Sequence, residues 1–303
     1  MRRPPPRIYA QKRIEDIRAS SVSTGNTLFE CMNSIELIDF LAVHAGRINP
    51  PNIKREEGLI QSPVELLPSL LDRALRLLPQ MDCVLVVRLF SYLQTANDVS
   101  VTQYQGLLDA CVPRLSDLSI QQLVRLMFSV SVSSKRLALD TTAFSDSCFT
   151  HLNFDTLGES TPPRLVSKLV VSSAILTKPH QAALFLPKLE TLVGNILTHL
   201  EPDQLQQVAF GLGRLGTENS DLVNRITMHA LHTTPIRDKK TYSSLLISLH
   251  RLYATSPSWE AFKKVYIDYI GLSPSDPHIS NLAECLPGES EILLRRIRNA
   301  LVH

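Results

Sequence analysis

Apolar positions along the middle of the chain recur with the 3.6-residue period of a helix, and one apolar segment returns several times. In "EPDQLQQVAFGLGRLG" (201–216), Leu205, Val208, Ala209, Leu212 and Leu215 fall at i, i+3, i+4, i+7 and i+10. Pro202 suits a first helical turn, Asp203 suits its positive end, and Gly216 is placed to cap the C-terminus. The glycines also spell G-x-G-x-x-G, the pattern of a loop that wraps a dinucleotide pyrophosphate. Such a loop follows a β-strand and opens a helix. Here helical periodicity precedes the glycines and runs through them, so Gly211 and Gly213 read as packing residues, with no nucleotide or other cofactor implied.

The segment recurs at Leu85–Thr95, Leu123–Ser134, Tyr242–Tyr253 and Ile35–Gly46, the last ending in Gly46 as the counterpart of Gly216, and more loosely at Val166–Leu176. Aligned, these place Phe40, Phe90, Phe128, Val171, Phe210 and Ile247 in one column, with spacings of 50, 38, 43, 39 and 37. Column residues buried between neighbouring units are the expectation. Ser129, Ser172, Gly211 and Ser248 follow the column, and small residues there let a neighbouring helix approach closely. A partner helix precedes the Phe90, Phe128, Phe210 and Ile247 helices. Ser62 with Glu65, Ser100 with Gln103, and Ser119 with Gln122 have the spacing of capping boxes. The unit is an antiparallel helix pair of about 37–43 residues that cannot bury its apolar face alone, so the expected fold is all-α, an α-solenoid of stacked pairs. The expected organisation is a basic extended arm over 1–25, a first helical unit and loop over 26–60, the repeat array over 61–270, and a helical cap over 271–303.

Charge adds a partner to this picture. The N-terminal segment carries Arg2, Arg3, Arg7, Lys12, Arg13 and Arg18, and its first acid is Glu15. It has no apolar core of a secretory signal. It reads as an organelle-targeting segment, a nucleic-acid-binding arm, or a solvated tail. A second basic region holds Arg237, Lys239, Lys240, Arg251, Lys263 and Lys264, interleaved with Tyr253, Trp259, Tyr266 and Tyr269. The final helix adds Arg295, Arg296 and Arg298. Lys and Arg neutralise phosphates and aromatics stack unpaired bases. These cations and Arg214 are therefore the candidate RNA contacts, set against the plainer reading of a solvated face over core aromatics.

Catalytic patterns are absent from the sequence. There is no G-x-S-x-G and no G-x-x-x-x-G-K-[ST]. His229 and His232 stand at i and i+3 without an evident third ligand. The five cysteines, Cys31, Cys83, Cys111, Cys148 and Cys285, form no C-x-x-C and are odd in number, which argues against disulfides and structural zinc. "KREE" (54–57) reads as a solvated loop. No apolar run is long enough for a membrane span.

The repeat resembles those of the octotricopeptide and heptatricopeptide proteins and of the helical part of FAST-kinase-like and RAP-domain proteins. Their helix reads roughly D-L-A-N-x-A-W-A-L-A-K-L-G. Asp203, Leu205, Ala209, Leu212, Leu215 and Gly216 match it, with Phe210 where those families often have Trp. The resemblance runs over roughly residues 65 to 255, and no terminal RAP domain follows it. It implies RNA as partner, a mitochondrial or other organellar setting, and membership of a ribonucleoprotein such as a mitochondrial ribosome. The near-neutral overall charge suits a different expectation, a HEAT- or armadillo-like scaffold that holds other proteins. Neither expectation involves an enzyme.

Overall fold

The computed structural model describes residues 32–44, 63–96, 99–158, 160–233 and 248. Among the described residues the protein is all-helical, with ten α-helices and no strand. They are α1 (Ser34–His44), α2 (Pro63–Leu77), α3 (Cys83–Leu93), α4 (Val101–Cys111), α5 (Ile120–Ser134), α6 (Thr142–His151), α7 (Pro163–Leu176), α8 (Pro179–Ile196), α9 (Pro202–Leu215) and α10 (Ser220–Thr233). Short 3₁₀ turns follow α2, α4 and α8.

Caps fix where the helices begin. Asp82 accepts the Val84 N–H at 2.7 Å and starts α3. At α5 the capping box forms in full: Gln122 N–H donates to Ser119 Oγ at 3.3 Å, and Ser119 N–H donates to Gln122 Oε1 at 2.9 Å. At α4 only half of it forms. Ser100 Oγ accepts the Gln103 N–H at 3.2 Å and faces Gln103 Oε1 at 3.1 Å, while Gln103 Nε2 donates to the Pro68 carbonyl at 3.0 Å and to Asp72. One side chain thus serves the cap of α4 through its oxygen and joins α4 to α2 through its nitrogen. The Ser62 box lies outside the described residues.

The chain divides into two compact units, Met1–Leu152 and Asn153–His303. In the first, α2, α4 and α6 lie side by side, as do α1, α3 and α5. Neighbours in each row are parallel. Gln103 near the start of α4 meets Pro68 near the start of α2, and Arg114 just past α4 donates to the Leu78 carbonyl just past α2 at 2.7 Å. Likewise Cys83, opening α3, approaches the Asp117 carbonyl before α5, while Arg136 after α5 donates to Leu93 O at the end of α3. In the second unit α7 packs against α9 and α8 lies beside α10. Arg214 near the end of α9 donates to Ala174 O near the end of α7 at 2.8 Å. Arginine after or near the end of one helix thus donates to a carbonyl at the C-terminal end of the parallel helix one repeat earlier.

Burial corrects the expected core column. Phe90 is fully buried and Val171 is buried, but Phe40, Phe128 and Phe210 are only half-buried. Ile247 lies outside the described residues. The column that is buried throughout is Phe90, Met127, Val170 and Ala209. The aromatic letters of "VVRLF" and "LVRLMF" invite an alignment on Phe, yet the inward pair before them is set by the helix period. Val86, Val87, Leu89 and Phe90 of α3 correspond to Leu123, Val124, Leu126 and Met127 of α5, and Phe128 falls one step outward.

Candidate nucleic-acid interface

The corrected register decides which polar side chains point out. Burying Val86, Val87, Leu89 and Phe90 leaves Arg88 exposed on α3, and burying Leu123, Val124, Leu126 and Met127 leaves Arg125 exposed on α5. The two arginines hold the same position in parallel, touching helices, whose axes run about 8–10 Å apart in such packing. Tyr92, four residues after Arg88, and Phe128, three after Arg125, are half-buried and do not hold matching positions: in the burial register Tyr92 falls opposite buried Ser129, and Phe128 opposite Ser91. Two exposed arginines stand one repeat apart on neighbouring helices. Asp39 on α1 lies within electrostatic reach of Arg88. Partial burial pushes the Asp39 carboxyl above its ordinary range, and the Arg88 charge opposes that rise.

In the second unit the same outer side carries Arg164 and half-buried Lys168 on α7, and Phe210 and Arg214 on α9. Lys168 occupies the position of Arg88 and Arg125. Arg214 is exposed, with its Nε engaged by the Ala174 carbonyl. It is the one predicted RNA contact within the described residues. Arg2, Arg3, Arg7, Lys12, Arg13, Arg237, Lys239, Lys240, Arg251, Lys263, Lys264, Arg295, Arg296 and Arg298 lie outside them, as do Tyr253, Trp259, Tyr266 and Tyr269. Arg88, Arg125 and Lys168 were legible as charges but not as matching repeat positions, because the Phe-based alignment puts Val87 opposite Arg125.

The glycine motif sits inside α9. A Cβ on Gly211 would fall 2.6 Å from Val170 Cγ1 and 2.9 Å from the Val170 carbonyl oxygen, so this glycine lets α9 press onto the α7 backbone. Gly216 adopts the left-handed conformation (φ 79°, ψ 42°) and ends the helix, and the Thr217 N–H closes back on the Leu212 carbonyl at 3.1 Å.

Other polar groups are committed to structure. His229 Nε2–H donates to Leu200 O at 3.2 Å. A polar cleft between α8 and α10 is lined by Glu190, Asn219 and Arg225. There Glu190 accepts from Thr217 and Asn219, while Arg225 donates to Gly194 O. Among the described residues no three His, Cys, Asp or Glu side chains gather as a metal site, and no helix is long and apolar enough to cross a membrane. Cys111 and Cys148 are buried free thiols. No protein-family model matches the chain, and no curated protein matches its sequence.

Proposed function

We propose that the protein is a non-catalytic α-solenoid that binds RNA within an organellar, mitochondrial ribonucleoprotein. The observation that carries this is the exposure of Arg88 and Arg125 at matching positions of two neighbouring parallel helices. Guanidinium groups at one-repeat spacing suit positions along a phosphate backbone. Parallel stacking at repeat spacing within each unit supports the solenoid, since units of this kind bury their faces only against neighbours. The basic N-terminal segment and the repeat resemblance support the organellar setting.

One observation favours a protein-binding scaffold as the second reading. Across residues 63–233 acidic side chains slightly outnumber Lys and Arg, and Leu184 is 70% exposed on α8. Titrating the full-length chain with a mixed-sequence single-stranded RNA over a range of salt concentrations separates the two. RNA binding predicts measurable affinity whose logarithm falls linearly with the logarithm of salt. Absence of salt-titratable binding overturns the RNA reading and leaves the scaffold.

A further inference from the structure

We infer that the cleft between α8 and α10 receives a basic side chain, arginine in preference to lysine, from a polypeptide that docks on the second unit. This is independent of the RNA-binding reading above, because the cleft offers an anion where a nucleic acid needs a cation.

Three observations carry it. The first is an acid without a counter-charge. Glu190 is half-buried on α8, and its carboxylate accepts from the Thr217 hydroxyl and from the Asn219 amide, the latter at 3.3 Å. Both donors are neutral, and among the described residues no Lys, Arg or His pairs with Glu190. The turn from α9 to α10 needs only an acceptor there, so the charge itself is unused. A half-buried charge gains from a partner that brings both opposite charge and hydrogen bonds. Each Glu190 oxygen takes one donor and keeps a lone pair, so two acceptors side by side await a donor, which suits the planar fork of a guanidinium better than a compact ammonium. The second observation is fixed geometry. Asn219 is itself held as the cap of α10, where its Oδ1 accepts the Leu222 N–H at 3.1 Å. Arg225 does not supply the missing charge. It donates to Gly194 O at 3.1 Å and lies 3.9 Å from Asp221, so those two charges offset each other and the Glu190 charge is left over. The third is shape. The cleft has a volume of about 370 Å³, at the small end of the range for ligand clefts. Gly194 keeps the α8 wall low beside Arg225. The Asp221 and Arg225 side chains are 82% and 51% exposed, so a side chain enters from solvent while its own backbone stays outside.

The experiment uses the full isotope-labelled chain and short capped glycine peptides with one central Arg, Lys or Gln, read by NMR at low salt. The Asn195 and Asn219 side-chain amides line the cleft and report on it. The Arg peptide shifts both signals saturably, the Lys peptide does so with weaker affinity, and the Gln peptide leaves them unmoved. Glu190→Gln weakens the Arg peptide about tenfold, since it replaces a charged acceptor by a neutral one. Gly194→Lys plants a basic side chain four residues after Glu190, the favourable order for a helical ion pair, and abolishes the peptide shift. A Cβ there meets Arg225 Nη1 at an ordinary 3.7 Å, so this variant keeps the fold. Melting curves verify that each variant is folded. Absence of a shift with the Arg peptide overturns the inference, as do equal shifts with all three peptides. Unchanged affinity in Glu190→Gln overturns it too. Should that variant not fold, Gly194→Lys decides: loss of the shift supports the site and its retention overturns it. Spermidine moving the signals while the peptides do not assigns the cleft to a small cation and overturns the polypeptide occupant. RNA binding is read separately by its salt titration, so failure of one reading is distinguishable from failure of the other.

Discussion

Gly211 of α9 lies directly against the backbone of Val170 in α7, and a methyl group at Gly211 would sit 2.9 Å from the Val170 carbonyl oxygen. The clash is with main chain as well as with a side chain, so rotamer change cannot relieve it. Ala at an exposed helical site normally gains up to about 1 kcal/mol over Gly. Here overpacking of about 1–3 kcal/mol opposes that gain, and Gly211→Ala is expected to lower stability. Gly106 on α4 is the contrast, because its added Cβ would meet only Leu75 Cδ2 at an ordinary 3.8 Å. Gly106→Ala is expected to raise stability. Urea unfolding of the two variants reads opposite signs. Adding Val170→Ala to Gly211→Ala leaves the carbonyl contact in place and should not restore the wild-type midpoint.

Phenylalanines that look equivalent in sequence should differ in cost. Phe90 is fully buried and meets the Tyr104 ring edge-on, with centroids 5.6 Å apart. Phe90→Ala removes that pair and leaves a cavity, at a cost of about 3–5 kcal/mol. Phe128 is half-buried and Met127 takes the inward place. Phe128→Ala should cost well under half as much, and Met127→Ala should exceed it. Equal losses at Phe90 and Phe128 would restore the Phe-aligned column.

The helices were legible because periodicity reports burial directly, and the capping spacings at Ser100 and Ser119 gave two helix starts correctly. Gly216 was legible because a left-handed C-cap favours one residue type. What misled was treating a repeated letter as a repeated position. Phe90 and Phe128 match as letters, but between them the inward stripe shifts by one residue, and with it every outward charge. Helix α6 gave little signal, since "TAFSDSCFTH" buries Phe144, Ser145, Cys148 and Phe149 in a short, largely polar segment. The fate of Gln103 was not readable either. Its oxygen stays at the local cap, but its nitrogen bridges to Pro68 35 residues away, and only the packing of α4 on α2 brings that carbonyl within reach.

Arg114 joins two repeat units through carbonyls at the end of the preceding repeat. Its Nη1 donates to Leu78 O at 2.7 Å and to Met81 O at 2.5 Å, and its side chain is only one-fifth exposed. Hydrogen bonds from a charged donor are worth about 1.5–3 kcal/mol, and the carbonyls would be left without that donor. Arg114→Met keeps the apolar stem and should cost about 2 kcal/mol. Arg114→Lys, with one compact head in place of a planar fork, should recover only part of it. A loss confined to the ion pair with Asp117 would instead be matched by Asp117→Asn, which is expected to be nearly silent because that pair is long and solvent-facing.

Alkaline pH should unfold the first unit through groups that burial keeps neutral. Burial pushes the Cys111 thiol up to about 12 against an ordinary value of 9.0, with the Arg114 charge opposing, and raises Cys148 well above the same value. Burial also raises the Tyr104 phenol; Ser133 and Arg136 offset this in part, although neither the Tyr104 nor the Ser133 hydroxyl completes a hydrogen bond of ordinary geometry. The sign follows from proton counting. Below pH 9 the thiols are protonated in both folded and unfolded chains, and stability does not depend on them. Between pH 9 and 12 the unfolded chain releases a proton that folded Cys111 retains. Stability then falls with rising pH by about 1.4 kcal/mol per unit for each such group. Tyr104 adds to the fall above pH 10, where an unfolded phenol ionises. Urea midpoints compared at about pH 8 and pH 10.5 should drop in the wild type. Cys111→Ala lowers the midpoint at both values by its cavity, yet its drop between them should be smaller. Tyr104→Phe should flatten only the part above pH 10, and removing its unsatisfied hydroxyl should leave stability at pH 8 unchanged or raised. A pH dependence identical in all three proteins would show that these groups ionise in the folded state as readily as in water.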